Sequence, residues 1–239
     1  MTGHLSRWAL GLCFVGLRRA ATLRPPAVIH VHAISDLHVD HGSNLDYVKA
    51  LGRPAGDGAH ALVVAGDVSS DLARLREALE SLRVHYDHVF VCPGNHEAWL
   101  GPADRARGIE DSCGKLEAFA AVVKEAGCES APRTLVDEKG RAVCVAPLLS
   151  WPHASHDVEP DVAPRPGERF SFEARWVDYR RCFWPAALLG GGGFRDPRPH
   201  GLGDGDEQLS DHFANLNDVR GLVPRNTTTP GGSKNNADD

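Results

Sequence analysis

Three short apolar runs, each ending abruptly at a polar turn, constrain this chain more than any other feature. Val28-Ile29-His30-Val31-His32-Ala33-Ile34 stops at Ser35-Asp36, Ala61-Leu62-Val63-Val64-Ala65 stops at Gly66-Asp67, and His88-Val89-Phe90-Val91-Cys92 stops at Pro93-Gly94-Asn95. Runs of this length and β-branched content read as strands, and the continuous second run reads as a strand covered on both faces. Behind Ser69-Ser70-Asp71, which supplies side-chain oxygens for a helix cap, Leu72, Leu75, Leu79 and Leu82 recur at helical spacing. A second helix is expected from about Cys113 to Ala126, with Leu116, Phe119 and Val123 on one side and Gly127 ending it. Ala142 to Ala146 reads as a further strand. Strands alternating with helices predict an α/β protein with a largely parallel sheet.

In open α/β sheets, ligands bind at the carboxyl ends of strands, so the three polar turns are expected to converge. They are spaced 31 residues (Asp36 to Asp67) and 28 residues (Asp67 to Asn95) apart, close to the roughly 30 residues of a βαβ unit. Asp36 and His38 are two residues apart, and extended geometry would direct both side chains to one side. Gly66 allows a sharp exit from its strand, leaving the Asp67 carboxylate at the sheet edge, where its two oxygens could bridge two ions. Asn95 offers a neutral amide oxygen. This oxygen and nitrogen set suits Mn, Fe or Zn better than copper or an iron–sulfur cluster. Each motif alone also reads as a polar turn closing a strand. Gly-Asp occurs four times, at 56/57, 66/67, 203/204 and 205/206, and only the second follows a strand.

In combination, the order D-x-H, G-D, G-N-H-E over about residues 28 to 97 resembles the calcineurin-like metallophosphoesterase superfamily. The resemblance implies an α/β fold of two packed β-sheets flanked by helices (α/β/β/α), here incomplete. It implies metal-dependent hydrolysis of a phosphate mono- or diester. Asp36 and His38 would bind a first divalent ion, Asp67 would bridge, Asn95 would bind a second, and His96 would act catalytically beside the metals. Asp40 or Glu97 is expected to orient a neighbouring histidine. Pro147 to Trp151 and Trp176 to Pro185 also resemble a eukaryotic branch of the superfamily, less specifically.

The carboxy-terminal G-H-x-H pair of the family is missing. The histidines after residue 97 are His153, His156, His200 and His212, none of them in that motif. Asp36, His38 and Asp67 could retain one ion, whereas Asp67 and Asn95 alone are too few for a firm second site. The expectation is therefore a truncated gene model or splice product with impaired activity. The alternatives are an active enzyme in which later histidines substitute, or a non-catalytic protein of the same fold. A nucleotide-binding α/β module finds no support, since neither G-x-G-x-x-G after a strand nor G-x-x-x-x-G-K-[ST] is present.

The remaining composition bounds partners and compartment. A formal net charge of −6 gives no cationic surface for nucleic acid, so a phosphorylated small molecule or phosphoprotein is the expected substrate. The six cysteines form no CxxC pair and read as reduced, mostly buried thiols. Residues 1–26 carry Arg7, Arg18, Arg19 and Arg24 without an acid. They read as a presequence or a disordered start; their apolar stretch is too short for a membrane span, which takes about 20 residues. The expected location is intracellular: cytoplasm, or mitochondrion or plastid if the segment is a transit peptide. The phosphoesterase domain is expected over 27–185, followed over 186–239 by a Gly/Pro-rich, low-order tail with one helix at Glu207 to Val219.

Overall fold

The apolar runs pair side by side. In chain order the elements are β1 (Ile29–Ile34), α1 (Asn44–Ala50), β2 (Ala59–Ala65), α2 (Leu72–His85), β3 (His88–Cys92), a 3-10 turn (His96–Ala98), α3 (Pro102–Ala106), α4 (Ser112–Glu125), β4 (Arg133–Val136), β5 (Ala142–Val145), α5 (Asp178–Arg181), a second 3-10 turn (Ala186–Leu189) and α6 (Asp204–Val219). The computed structural model describes residues 25–152, 177–189 and 204–219. Residues 1–24, His153, His156, His200 and most of the expected tail lie outside that set. Strands β1, β2 and β3 form one parallel sheet in that order, and β4 and β5 form a separate antiparallel hairpin.

The two-residue period of the strands sorts side chains into layers. Leu62, Val64, Val89 and Val91 face α2 and α4, where they bury Leu75, Leu79, Leu82, Phe119 and Val123. Ala61 and Phe90 point the other way and pack on Leu135 of β4, with Val143 and Val145 of β5 alongside. The result is helix, parallel sheet, second sheet, as the resemblance implied. Burying Phe90 between the sheets contributes about 2 kcal/mol.

Caps fix where the helices start. Asp71 accepts from the N–H groups of Ala73 (2.8 Å) and Arg74 (3.0 Å), and Asp111 accepts from Gly114 (2.8 Å). Gly127 takes the left-handed conformation just past α4. Helix α6 begins three residues before its expected start and buries Leu209 and Phe213 with Trp151, Cys182 and Trp184. Of the described cysteines, Cys128 and Cys182 are buried and Cys144 is exposed, all five being free thiols. Burial pushes the Cys128 thiol up to about 12. No helix among the described residues is long and apolar enough to cross a membrane.

The parallel register sets His30 beside His60, and the rings of His30 and His32 both stack on His60, with centroids 4.8 and 5.3 Å away. His32 Nε2 lies 3.1 Å from His60 Nδ1. Burial, then the neighbouring His60 and His30, hold the His32 ring below its ordinary value. The unfolded chain therefore takes up this proton first as pH falls. The stability contributed by neutral His32 is fully present above the unperturbed histidine value of about 6.5 and is lost as pH falls from there through the lower folded value. The denaturant midpoint should drop between about pH 7.5 and about pH 5.5, and drop less in His32→Gln. Equal drops in the two proteins would refute the assignment.

Candidate metal centre

The three motifs meet beyond the carboxyl ends of β1, β2 and β3. Although β1 stops at Ile34, the next segment stays attached to the loop after β2 through Asp36 N–H to Gly66 O (3.2 Å), His38 N–H to Asp67 O (2.9 Å) and Val39 N–H to Val68 O (2.8 Å). Leu37 and Val39 are buried in the helix-side core, which leaves Asp36 and His38 on the outer side. The expected extended geometry is not what aims them. Asp36 (φ 54°), His38 (φ 41°) and Asp67 (φ 54°) all adopt the left-handed region, and they are the only non-glycine residues to do so among those described. Each such conformation costs about 1–3 kcal/mol and persists where the surroundings over-determine it, typically at a functional site.

The motif glycines are explained by crowding. A Cβ on Gly94 would lie 2.2 Å from Asp67 Oδ1 and 2.8 Å from Asp67 N, and one on Gly66 would lie 2.8 Å from Gly94 N. The loops after β2 and β3 are thus in backbone contact. Glu97 joins them: Oε1 accepts from Val68 N–H (2.7 Å) and Ser69 N–H (3.1 Å), while Oε2 accepts from Asp67 N–H (3.0 Å) and Gly94 N–H (2.7 Å). Burial pushes its carboxyl above the usual range, against the pull of these donors. The expectation that Glu97 orients a histidine is corrected, because its partners are main-chain groups. Asp40 is corrected likewise: Oδ2 accepts from the Ser70 hydroxyl (2.8 Å) and N–H (3.2 Å). Burial works to raise the Asp40 carboxyl, but these bonds outweigh it and hold the group below its ordinary value.

Side-chain atoms of His38, Asp67 and His96 that could bind a metal lie within 4.8 Å of one another. The rings of His38 and His96 meet edge to face at 4.4 Å, and Asp67 Oδ1 accepts from the main-chain N–H of His96 at 3.0 Å. Asp36 Oδ1 is 4.0 Å from His38 Nε2 on the exposed rim. His96 stacks on the Trp99 indole with centroids 3.6 Å apart. Burial, opposed by the Asp67 carboxylate, holds the His96 ring below its ordinary value. Asn95 sits beside this group, its Nδ2 donating to Asp178 Oδ1 at 2.8 Å.

A divalent cation fits these residues. His38 Nδ1, His96 Nδ1 and Asp40 Oδ1 are buried with no hydrogen-bond partner, and such groups are costly unless something satisfies them. Hard oxygens with imidazole nitrogens are the donor set for Mn, Fe or Zn. His96, expected beside the ions, is packed into the cluster itself, within reach of either role. His212 lies on α6 with its ring against Phe213, outside the metal-capable group. The sequence reading missed Trp99 and Asp178, which touch His96 and Asn95 from outside the motifs.

A layered α/β framework with histidines and carboxylates crowded at the ends of parallel strands defines an α/β protein with a metal-capable site. The family is shown directly: the calcineurin-like phosphoesterase family model matches residues 29–235, and the chain belongs to that family. It is similar to the [acyl-carrier-protein] phosphodiesterase PptH of Mycobacterium tuberculosis (strain ATCC 25618 / H37Rv), being 40% identical over 72 residues. That match spans 30% of this chain and 22% of the relative. The crystal structure of phosphopantetheinyl hydrolase (PptH) from Mycobacterium tuberculosis shares the fold with a TM-score of 0.51 at 21% identity, covering 81% of this chain and 63% of that one. The chain thus spans less than two thirds of the length of the proteins it matches.

Proposed function

We propose that this chain is a metal-dependent phosphoesterase acting on a phosphate ester of a small molecule or of a protein-borne group. The observation that carries the reading is the His38, Asp67 and His96 cluster, with His38 and Asp67 on strained backbone and two imidazole nitrogens buried and unpartnered. In this reading Asp36, His38 and Asp67 hold one divalent ion. Asp67 and Asn95 contribute to a second, more weakly held ion. When bound, such ions supply Lewis acidity toward phosphoryl oxygens and an activated water. The chain's own part is to fix donor positions before substrate arrives, by the Glu97 brace and the glycine contacts. His96, stacked on Trp99 with burial holding its ring below the ordinary histidine value, is placed to take a proton from water and then give it to the leaving oxygen.

The relative named as a phosphodiesterase supports a phosphodiester substrate over a monoester. Metal analysis combined with turnover of an aryl phosphodiester and the matching monoester tests this. The expected result is at least one tightly held ion and metal-dependent diester cleavage that falls about a hundredfold or more in His96→Ala. A protein that binds metal but hydrolyses neither ester would leave the non-catalytic reading in its place.

A further inference from the structure

Asp178 opens α5 and is 5% exposed, and its chemistry is not explained by packing. Its Oδ1 accepts from Asn95 Nδ2 at 2.8 Å and from Trp99 Nε1 at 2.5 Å. The same oxygen therefore holds the amide next to the metal cluster and the indole on which His96 stacks. The segment carrying it is itself pinned: Leu100 N–H donates to Arg181 O (2.8 Å), Ser112 N–H to Phe183 O (2.8 Å), and Phe183 N–H to Ser112 Oγ (2.8 Å). Asp178 is thus a fixed anchor against which the loop after β3 is set.

An asparagine side chain can present either its oxygen or its nitrogen to a given partner, and only the hydrogen-bond network decides which. An ionised carboxylate accepts and never donates, so it selects the nitrogen. That choice turns the Asn95 oxygen away from Asp178. We propose that Asp178 is a positioning residue that locks the Asn95 amide with its oxygen available as a metal donor and, through Trp99, sets the plane of His96. The inference rests on the reading of Asn95 as a metal ligand. It predicts that removing the acceptor at 178 lets the amide rotate and weakens the second ion while leaving the first in place. Partners of this kind typically change metal affinity by about 10- to 100-fold.

Calorimetric titration of the metal-free full chain with Mn²⁺ tests the inference without reference to turnover. Asp178→Leu should weaken the second binding event about 10- to 100-fold, and Asp178→Asn, whose amide can donate as well as accept and so no longer fixes which Asn95 atom it meets, should weaken it measurably but less. Asn95→Ala should weaken the same event, and Asp178→Leu should add nothing further in that background, because the two act through one atom. Trp99→Phe should leave Mn²⁺ affinity unchanged while altering turnover through His96. If Asp178→Leu does not fold, the Asp178→Asn and Asn95→Ala pair carries the same non-additivity test. Additive losses, or unchanged Mn²⁺ affinity in the Asp178 variants while Asn95→Ala is impaired, would overturn the positioning role alone. Unchanged affinity in Asn95→Ala would overturn the metal-ligand reading and this inference with it.

Discussion

Glu97→Gln is expected to destabilise the protein by about 3–5 kcal/mol and to abolish tight metal binding, although the two side chains have nearly the same shape. Each carboxylate oxygen of Glu97 accepts from two main-chain N–H groups. Whichever way the glutamine amide is turned, its NH₂ faces two of those donors. A buried donor left without an acceptor costs about 1–3 kcal/mol, and hydrogen bonds to a charged group contribute about 1.5–3 kcal/mol each. At 1% exposure, water cannot replace what is lost. Urea unfolding of the metal-free variant reads the effect directly. A change within about 0.5 kcal/mol, the range of an ordinary surface substitution, would show that the four bonds do not brace the loops.

The proposed metal donors should respond in the opposite sense. Asp67→Asn keeps the shape and tolerates the left-handed backbone, so the metal-free fold should persist while metal affinity falls by at least about a hundredfold. Asp36→Gly is expected to raise metal-free stability by about 1 kcal/mol, because glycine adopts φ 54° without strain and this side chain lies largely in solvent. The same change should weaken metal binding. Paired unfolding curves with and without Mn²⁺ distinguish strain held for function from strain without use. If Asp36→Gly is destabilising without metal, the backbone conformation is not under the load assigned to it.

Much of this was legible because strand ends leave marks in sequence. The runs ending at Ala65 and Cys92 and the capped helices α2 and α4 each bury several apolar side chains, while the run ending at Ile34, half-buried or exposed throughout, was marked by its β-branched content alone. Helix α1, helix α3 and strand β4 escaped notice. They bury only Leu45 and Val48, Asp104, and Leu135 respectively, too few to show a period. In the candidate site, motif order singled out Asp36, His38, Asp67, Asn95 and His96, of which His38, Asp67 and His96 fall in one metal-capable group, but the extended geometry assumed for the first pair failed because the backbone there turns left-handed. Glu97 was assigned a histidine partner because side-chain pairs can be guessed from residue types. Its true partners are amide N–H groups, which every residue but proline carries and no sequence advertises. Asp178 reaches Asn95 across 83 residues, a separation at which local pattern carries no information.

Leu37 and Val39 are buried between the exposed or half-buried Asp36, His38 and Asp40, so that core and site alternate along one short segment. Any drift in the packing beneath Leu37 moves the residues on either side of it by a single peptide's leverage. Substitutions in the helices lining that core are therefore not free to accumulate for stability alone. A lineage that abandons the chemistry should therefore show its first freed positions at 36 and 38, while 37 and 39 stay apolar because the core still needs them.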